Sequence, residues 1–253
     1  MFTLSISALS LLQAVLVALP RPAVPLPWAF RSRWWAIVPA GSIVVVVAGI
    51  ELVPDSATAL SYLALVAVPP LAGLALAALV RGARPAWALG AAGLFAIAWA
   101  AQGSLAGEAS AAALSALACV SLGWLLVSVV PPAWLRAGIY AMAAIDAALI
   151  AAELLQGPSG ILSAADPGGL PRLQVVEFGS ARMGFGDIFV AATVGCLLAS
   201  SRRRQMQAAV LVGMLALGFD LLFFAFDTLP ATVPVALALA LVEWRGRPAG
   251  RSQ

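Results

Sequence analysis

About nine apolar runs, most of them of membrane-spanning length, follow one another through the chain. They lie at roughly 1–20, 34–53, 57–80, 86–102, 110–130, 133–155, 181–200, 207–227 and 229–243. A helix needs about twenty apolar residues to cross the hydrocarbon of a bilayer, so runs of this kind predict transmembrane helices. The fourth and ninth are short. Composition agrees: 63% of the residues are hydrophobic and 10% charged, where a soluble domain carries about 25% charged residues. The expected fold is an all-α polytopic membrane domain over 1–245, with spans one to six within 1–155 and spans seven to nine within 181–243. An external loop over 156–180 and a cytoplasmic tail over 246–253 complete it. The first run has no basic segment ahead of it and ends Ala18-Leu19-Pro20 rather than at a small-residue cleavage site. It is therefore read as a span, not as a removed signal peptide.

All fourteen basic residues are arginines, and their placement predicts an orientation. Arg21, Arg31 and Arg33 follow the first run, Arg81 and Arg84 the third, Arg136 the fifth, and Arg202, Arg203 and Arg204 the seventh. Arg245, Arg247 and Arg251 end the chain. These are alternate connections, and the positive-inside rule assigns them to the cytoplasm. The other connections hold Glu51 and Asp55, then Glu108, then the long 156–180 stretch, which carries Arg172, with Arg182 just beyond it. The expectation is an outside N-terminus and an inside C-terminus in a plasma membrane. The basic pI of about 9.5 is thus a topology signal and not a nucleic-acid surface.

The chain has no histidine, which removes the usual general base, the serine triad and the commonest metal ligand. Cys119 and Cys196 both lie inside apolar runs and read as core thiols, with no disulfide frame or zinc site implied. Chemistry then falls to carboxylates, and a charge at membrane depth is a functional hypothesis by default. Glu51, Glu153 and Glu243 lie near predicted span ends and read as boundary residues. Asp146 falls near the middle of span six among alanine and isoleucine. Asp187 closes Gly184-Phe185-Gly186-Asp187 and is expected a turn or two inside span seven. The glycines there free the backbone and remove bulk, so that another backbone could approach the acid. Asp220 and Asp227, seven residues apart, share one face of span eight. Asp227 is expected at its outer end, and Asp220, deeper, is the rival to Asp146 as partner of Asp187.

Within the long connection, Gly157-Pro-Ser-Gly160 and Asp166-Pro-Gly-Gly-Leu-Pro171 are turn signals. Leu173-Gln-Val-Val-Glu-Phe178 is β-prone and directly precedes the glycine–aspartate motif. It reads equally as a free edge lining a wet cleft, able to pair with an extended peptide, or as a surface hairpin.

Asp146 in span six, a long loop, Gly184-Phe185-Gly186-Asp187 at span seven and a proline-led short last span together resemble the presenilin and signal peptide peptidase family. The likeness is to a short, bacterial-type member. That resemblance implies a presenilin-like fold of nine spans and the activity of an intramembrane aspartyl protease, with Asp146 and Asp187 as catalytic dyad. It implies substrate contacts by Gly184, Phe185 and Gly186, and by Pro230, Ala231 and Thr232, which stand where the family has Pro-Ala-Leu. Two departures are visible. Thr232 replaces the usual leucine, and Ile145-Asp146 replaces the family's Tyr-Asp, with Tyr140 further upstream. The orientation is that of signal peptide peptidase rather than presenilin, so the implied substrates are transmembrane segments whose N-terminus is cytoplasmic.

Two carboxylates that share a proton can activate water at a peptide carbonyl. This chemistry calls for no metal, nucleotide or other cofactor; the partners are transmembrane peptides and the lipid bilayer, not nucleic acid. A prepilin-peptidase-like enzyme would keep the chemistry, but its motif continues into a lysine-containing cytoplasmic stretch, whereas Asp187 is followed by Ile-Phe-Val-Ala-Ala. A proton-coupled transporter would use Asp146, Asp187 and Asp220 as a relay and predicts an internal repeat, which the chain does not display. A non-catalytic scaffold retaining the fold is the remaining alternative.

Overall fold

A computed structural model of the chain describes residues 2–23, 32–37, 41, 56–151, 168–224 and 229–245. Eight α-helices and one β-hairpin account for most of them. Helix α1 is Phe2–Ala18, closed by Leu19-Pro20, and α2 is Ser56–Leu74. Pro69 and Pro70 inside α2 remove two ladder donors, and the helix continues as a π turn over Ala75–Leu79. Helix α3 is Ala88–Ala100, entered through a short 3-10 turn that starts at Pro85.

Helix α4, Leu105–Val129, starts at Ser104, whose hydroxyl accepts the Gly107 N–H at 3.2 Å. It stops just before Pro131, and Pro132 opens α5, Pro132–Ala151. Strands β1, Val175–Phe178, and β2, Ala181–Gly184, pair antiparallel with Val175 opposite Gly184. Gly179 makes the tight turn between them with φ of 59°. Then follow α6, Phe185–Leu198, α7, Arg202–Asp220, and α8, Thr232–Arg245.

Three of these helical stretches are long and apolar enough to cross a membrane: Ser56–Leu79, Leu105–Val129 and Pro132–Ile150. Thr3–Ala18, Pro85–Ala100 and Phe185–Leu198 are apolar but shorter. The expected second span, the first part of the 156–180 loop and the 246–253 tail lie outside the described residues, apart from a 3-10 turn at Arg33–Ala36. Two boundaries differ from expectation. Helix α7 begins at Arg202 rather than near 207, because the arginines are drawn into its first turn by bonds described below. The expected seventh span loses its first four residues to β2, so that Arg182 and Met183 are strand, not helix.

The core runs along α4, α6, α1 and α8, with Leu114, Ala118, Val120, Ile188, Ala191, Leu16, Val17, Val235 and Leu239 all buried. Close approach rests on glycine. A Cβ on Gly195 of α6 would lie 2.6 and 2.7 Å from the carbonyl oxygens of Leu16 and Val17 in α1. One on Gly123 of α4 would lie 3.0 Å from the Thr193 backbone. Small residues at helix crossings are how apolar helices gain contact where hydrophobic burial alone cannot drive them together. Hydroxyls inside the helices are satisfied in two ways. Ser61, Ser110, Ser128 and Thr193 donate to carbonyls one turn back. Ser115 and Ser121 instead tie α4 to the Leu173 and Leu71 carbonyls at 2.9 and 2.7 Å.

Polar side chains also fix the connections. Gln205 on α7 is fully buried; its Nε2 donates to the Pro20 and Gly195 carbonyls, and its Oε1 accepts from Arg81 and Arg202. Arg202 donates further to the Ala18 carbonyl, and Arg81 to that of Ala199. Backbone bonds between Arg21 and Leu79, and between Arg81 and Leu19, clip the ends of α1 and α2 together. Three arginine-bearing connections expected on one side of the membrane therefore meet in space. Elsewhere Arg136 of α5 pairs with Glu243 of α8. Glu108 of α4 accepts the N–H of Gly179 in the hairpin turn at 2.7 Å.

Candidate functional site

Asp187 is the third residue of α6, in its first turn and not one or two turns inside. Its Oδ2 accepts the N–H of Gly184, the residue that precedes the helix, at 3.1 Å. This is half of a capping box, in which a carboxylate in the first turn reaches back to satisfy a donor at the helix entrance. Gly184 has no side chain to return the bond, so only the Asp187 half of the box is made. The reason for a glycine at 184 is local. A Cβ there would sit 3.1 Å from Asp187 Oδ2, while among the described residues no other segment comes within 4 Å. At Gly186 nothing lies within 4 Å of a Cβ position. Among the described residues, Gly184 leaves room for the Asp187 carboxylate itself, and the space beside Gly186 is open.

Asp146 comes from the second half of α5. Its Oδ2 accepts the hydroxyl of Thr232 at 2.6 Å. Thr232 is the first residue of α8 and is 4% exposed. The two aspartates are close enough for the charge on Asp146 to act on Asp187. Each carboxylate stands at the N-terminus of a helix, Asp187 in α6 and Asp146 against α8. Unpaired N–H groups and the positive end of the helix dipole are found at such positions.

The remaining expected residues divide. Pro230 and Ala231 form the turn that delivers Thr232 to Asp146, and the Ala231 carbonyl accepts from Gln13 Nε2 of α1 at 3.2 Å. Phe185 is half-buried and packs against the core. Asp220 is not brought to the pair. It ends α7, and Ser10 of α1 donates to both its oxygens at 2.9 and 3.0 Å. Asp227, Glu51 and Glu153 lie outside the described residues.

The β-prone run resolves as a hairpin. Residues 175–178 pair with 181–184, and Glu177 bonds Arg182 across the strands at 2.8 Å. Arg182, 62% exposed, is thereby engaged by Glu177 beside the motif. A recess of about 370 Å³ lies beside the hairpin, lined by Glu108, Arg172, Glu177 and Arg182 among others. Among the described residues no three of Cys, Asp and Glu converge as metal ligands would.

Sequence reasoning missed two side chains. Gln13 and Ser10 are almost fully buried in α1 and hold Ala231 and Asp220. The available signal was an amide in an apolar helix, which in lipid must find a partner. No protein-family model, no curated protein and no solved structure matches this chain.

Proposed function

We propose that the chain is a polytopic membrane protein of about nine spans and an intramembrane aspartyl protease of the presenilin and signal peptide peptidase type. The observation that carries this reading is the meeting of Asp146 and Asp187, two acids 41 positions apart in a chain only 10% charged, at the N-termini of two helices. Isolated structural acids in the same chain look different: Asp220 is fully engaged by Ser10, and Glu243 by Arg136. The apolar helices support the membrane setting. So do their outward leucines, valines and methionines, such as Leu4, Val66, Leu89 and Met214, each more than two-thirds exposed.

The chemistry follows from one proton held between two carboxylates. The ionised carboxylate takes a proton from water as the water oxygen bonds to the scissile carbonyl carbon. The protonated partner gives its proton to the carbonyl oxygen, so a neutral gem-diol forms. On collapse the carbon–nitrogen bond breaks, the leaving nitrogen takes a proton from the acid that received it from water, and a diol hydroxyl returns one to the other. The pair ends as it began. The substrate is a transmembrane segment locally unwound to expose its carbonyl, and Gly184, Phe185, Gly186 and the Pro230–Thr232 turn border the place it would occupy. The open space at Gly186 suits such an approach.

The test is cleavage of a model transmembrane peptide by the purified protein in lipid bicelles, with products mapped by mass spectrometry. The proposal expects hydrolysis within the apolar segment, blocked by a peptide mimic carrying a hydroxyl at the scissile position. A folded, inserted protein that leaves a panel of such peptides intact and does not bind the mimic would refute it.

A further inference from the structure

Thr232 is the residue at which the chain departs from the Pro-Ala-Leu pattern, and it is also the one that touches Asp146. Its hydroxyl donates to that carboxylate, 2.6 Å from Oδ2. Leucine has no hydroxyl to supply that bond. Asp187 receives one backbone N–H, from Gly184. The two acids of the pair are therefore not equivalent. Donors on a carboxylate hold negative charge there, and charge-assisted bonds are about twice as strong as neutral ones.

We propose that Thr232 is a positioning residue that fixes Asp146 as the ionised member of the pair and leaves the shared proton on Asp187. Asp146 is then the base that deprotonates water, and Asp187 the acid that protonates the scissile carbonyl oxygen. The inference rests on the protease reading for its catalytic meaning, but the location of the proton is a property of the resting protein.

Of the elements packed against α5, α8 carries Glu243 and Arg245 at its far end, about 16–20 Å of helix from Thr232, and Glu243 is paired with Arg136. The Arg33–Ala36 turn carries Arg33, which lies over the ring of Trp34, 5.4 Å from its centroid. Thr232 is held in register from behind, since Gln13 fixes the preceding carbonyl.

Two measurements test the inference. In infrared spectra of the protein in lipid, the carbonyl stretch of a protonated carboxyl should disappear in Asp187→Asn and persist in Asp146→Asn. The opposite pattern would overturn the assignment whether or not the protein is a protease. In the peptide-cleavage assay, Thr232→Val keeps the shape of the side chain and removes the hydroxyl. It should lower kcat roughly 10- to 100-fold, the range expected for losing a hydrogen bond to a charged group, with KM within about twofold. Its acid limb should move to higher pH, because Asp146 has lost a donor. Thr232→Ser, which restores the hydroxyl, should recover most of kcat and the original profile. A Val variant equal to the parent, or a Ser variant as impaired as Val, would overturn the positioning role while leaving the dyad intact. A parent that cleaves nothing but shows the expected infrared pattern would sink the protease reading and retain the proton placement.

Discussion

Gly184 and Asp187 are locked to one another: the glycine N–H donates to the aspartate carboxylate at 3.1 Å, and the same oxygen occupies the space beside the glycine α-carbon. A side chain at 184 and the observed position of the carboxylate therefore compete. The Gly184 backbone, with φ of −67° and ψ of 149°, is one alanine adopts freely. Gly184→Ala should consequently leave the fold intact and displace the Asp187 carboxylate by a few tenths of an ångström. The expected result is a loss of about tenfold or more in kcat, as misplaced reacting groups cost, with a melting temperature within a few degrees of the parent. Gly186→Ala meets nothing within 4 Å, so any loss of cleavage there, with stability unchanged, reports a clash with substrate. Equal activity in Gly184→Ala and the parent would show that the carboxylate is not held where catalysis needs it.

Gln205 is the structural counterpart of the dyad, a buried amide serving four partners from α1, α6, α7 and the end of α2. Replacing it by alanine would strand two backbone carbonyls and one acceptor site for two arginines. Burial, with Arg202 and then Arg21 nearby, already draws the Arg81 guanidinium below its ordinary value, though an arginine remains charged throughout the physiological range. Gln205→Ala should destabilise the protein by about 2–4 kcal/mol, from unsatisfied buried groups and a cavity. Thermal unfolding in detergent checks this. Gln207→Ala on the exposed face of the same helix is the control and should change little.

The dyad also predicts a pH profile. Cleavage needs a singly protonated pair, so activity should pass through a maximum and fall on both sides, through double protonation in acid and loss of the shared proton in alkali. Arg182 should leave this profile where it is. It is engaged by Glu177 across the hairpin, and Arg182→Gln is expected to alter neither limb. An alkaline limb that moves upward in that variant would place the guanidinium in the cleft.

Much of this was legible in the sequence, and the failures have physical causes. Periodicity-free apolar runs identified most helices because length and apolarity suffice for that. They could not fix ends, because polar groups with distant partners decide them: Gln205 and Arg202 extend α7 backward to bond α1. The glycine–aspartate motif and Asp146 were chosen by chemistry, and the fold brings them together. The use of the space at Gly184 was not legible because the group filling it is the Asp187 carboxylate, three residues along the same segment and not on another element. Thr232 read as a weakened motif because a pattern records residue identity and not the hydrogen bond that a hydroxyl makes to Asp146. The β-run was ambiguous because its pairing depends on the Gly179 turn and on Glu108, held at a distance of 71 positions.

The most direct test of the central claim compares three carboxylate variants in one assay. Asparagine preserves the size of aspartate but cannot hold or transfer the proton, so Asp146→Asn and Asp187→Asn should each abolish cleavage of the model transmembrane peptide. Asp220→Asn keeps an acceptor for Ser10 and should retain most activity. All three should insert in the membrane and melt within a few degrees of the parent. Cleavage that survives Asp146→Asn or Asp187→Asn, or that is lost in Asp220→Asn while Asp146→Asn stays active, would contradict the assignment of Asp146 and Asp187 as the catalytic pair.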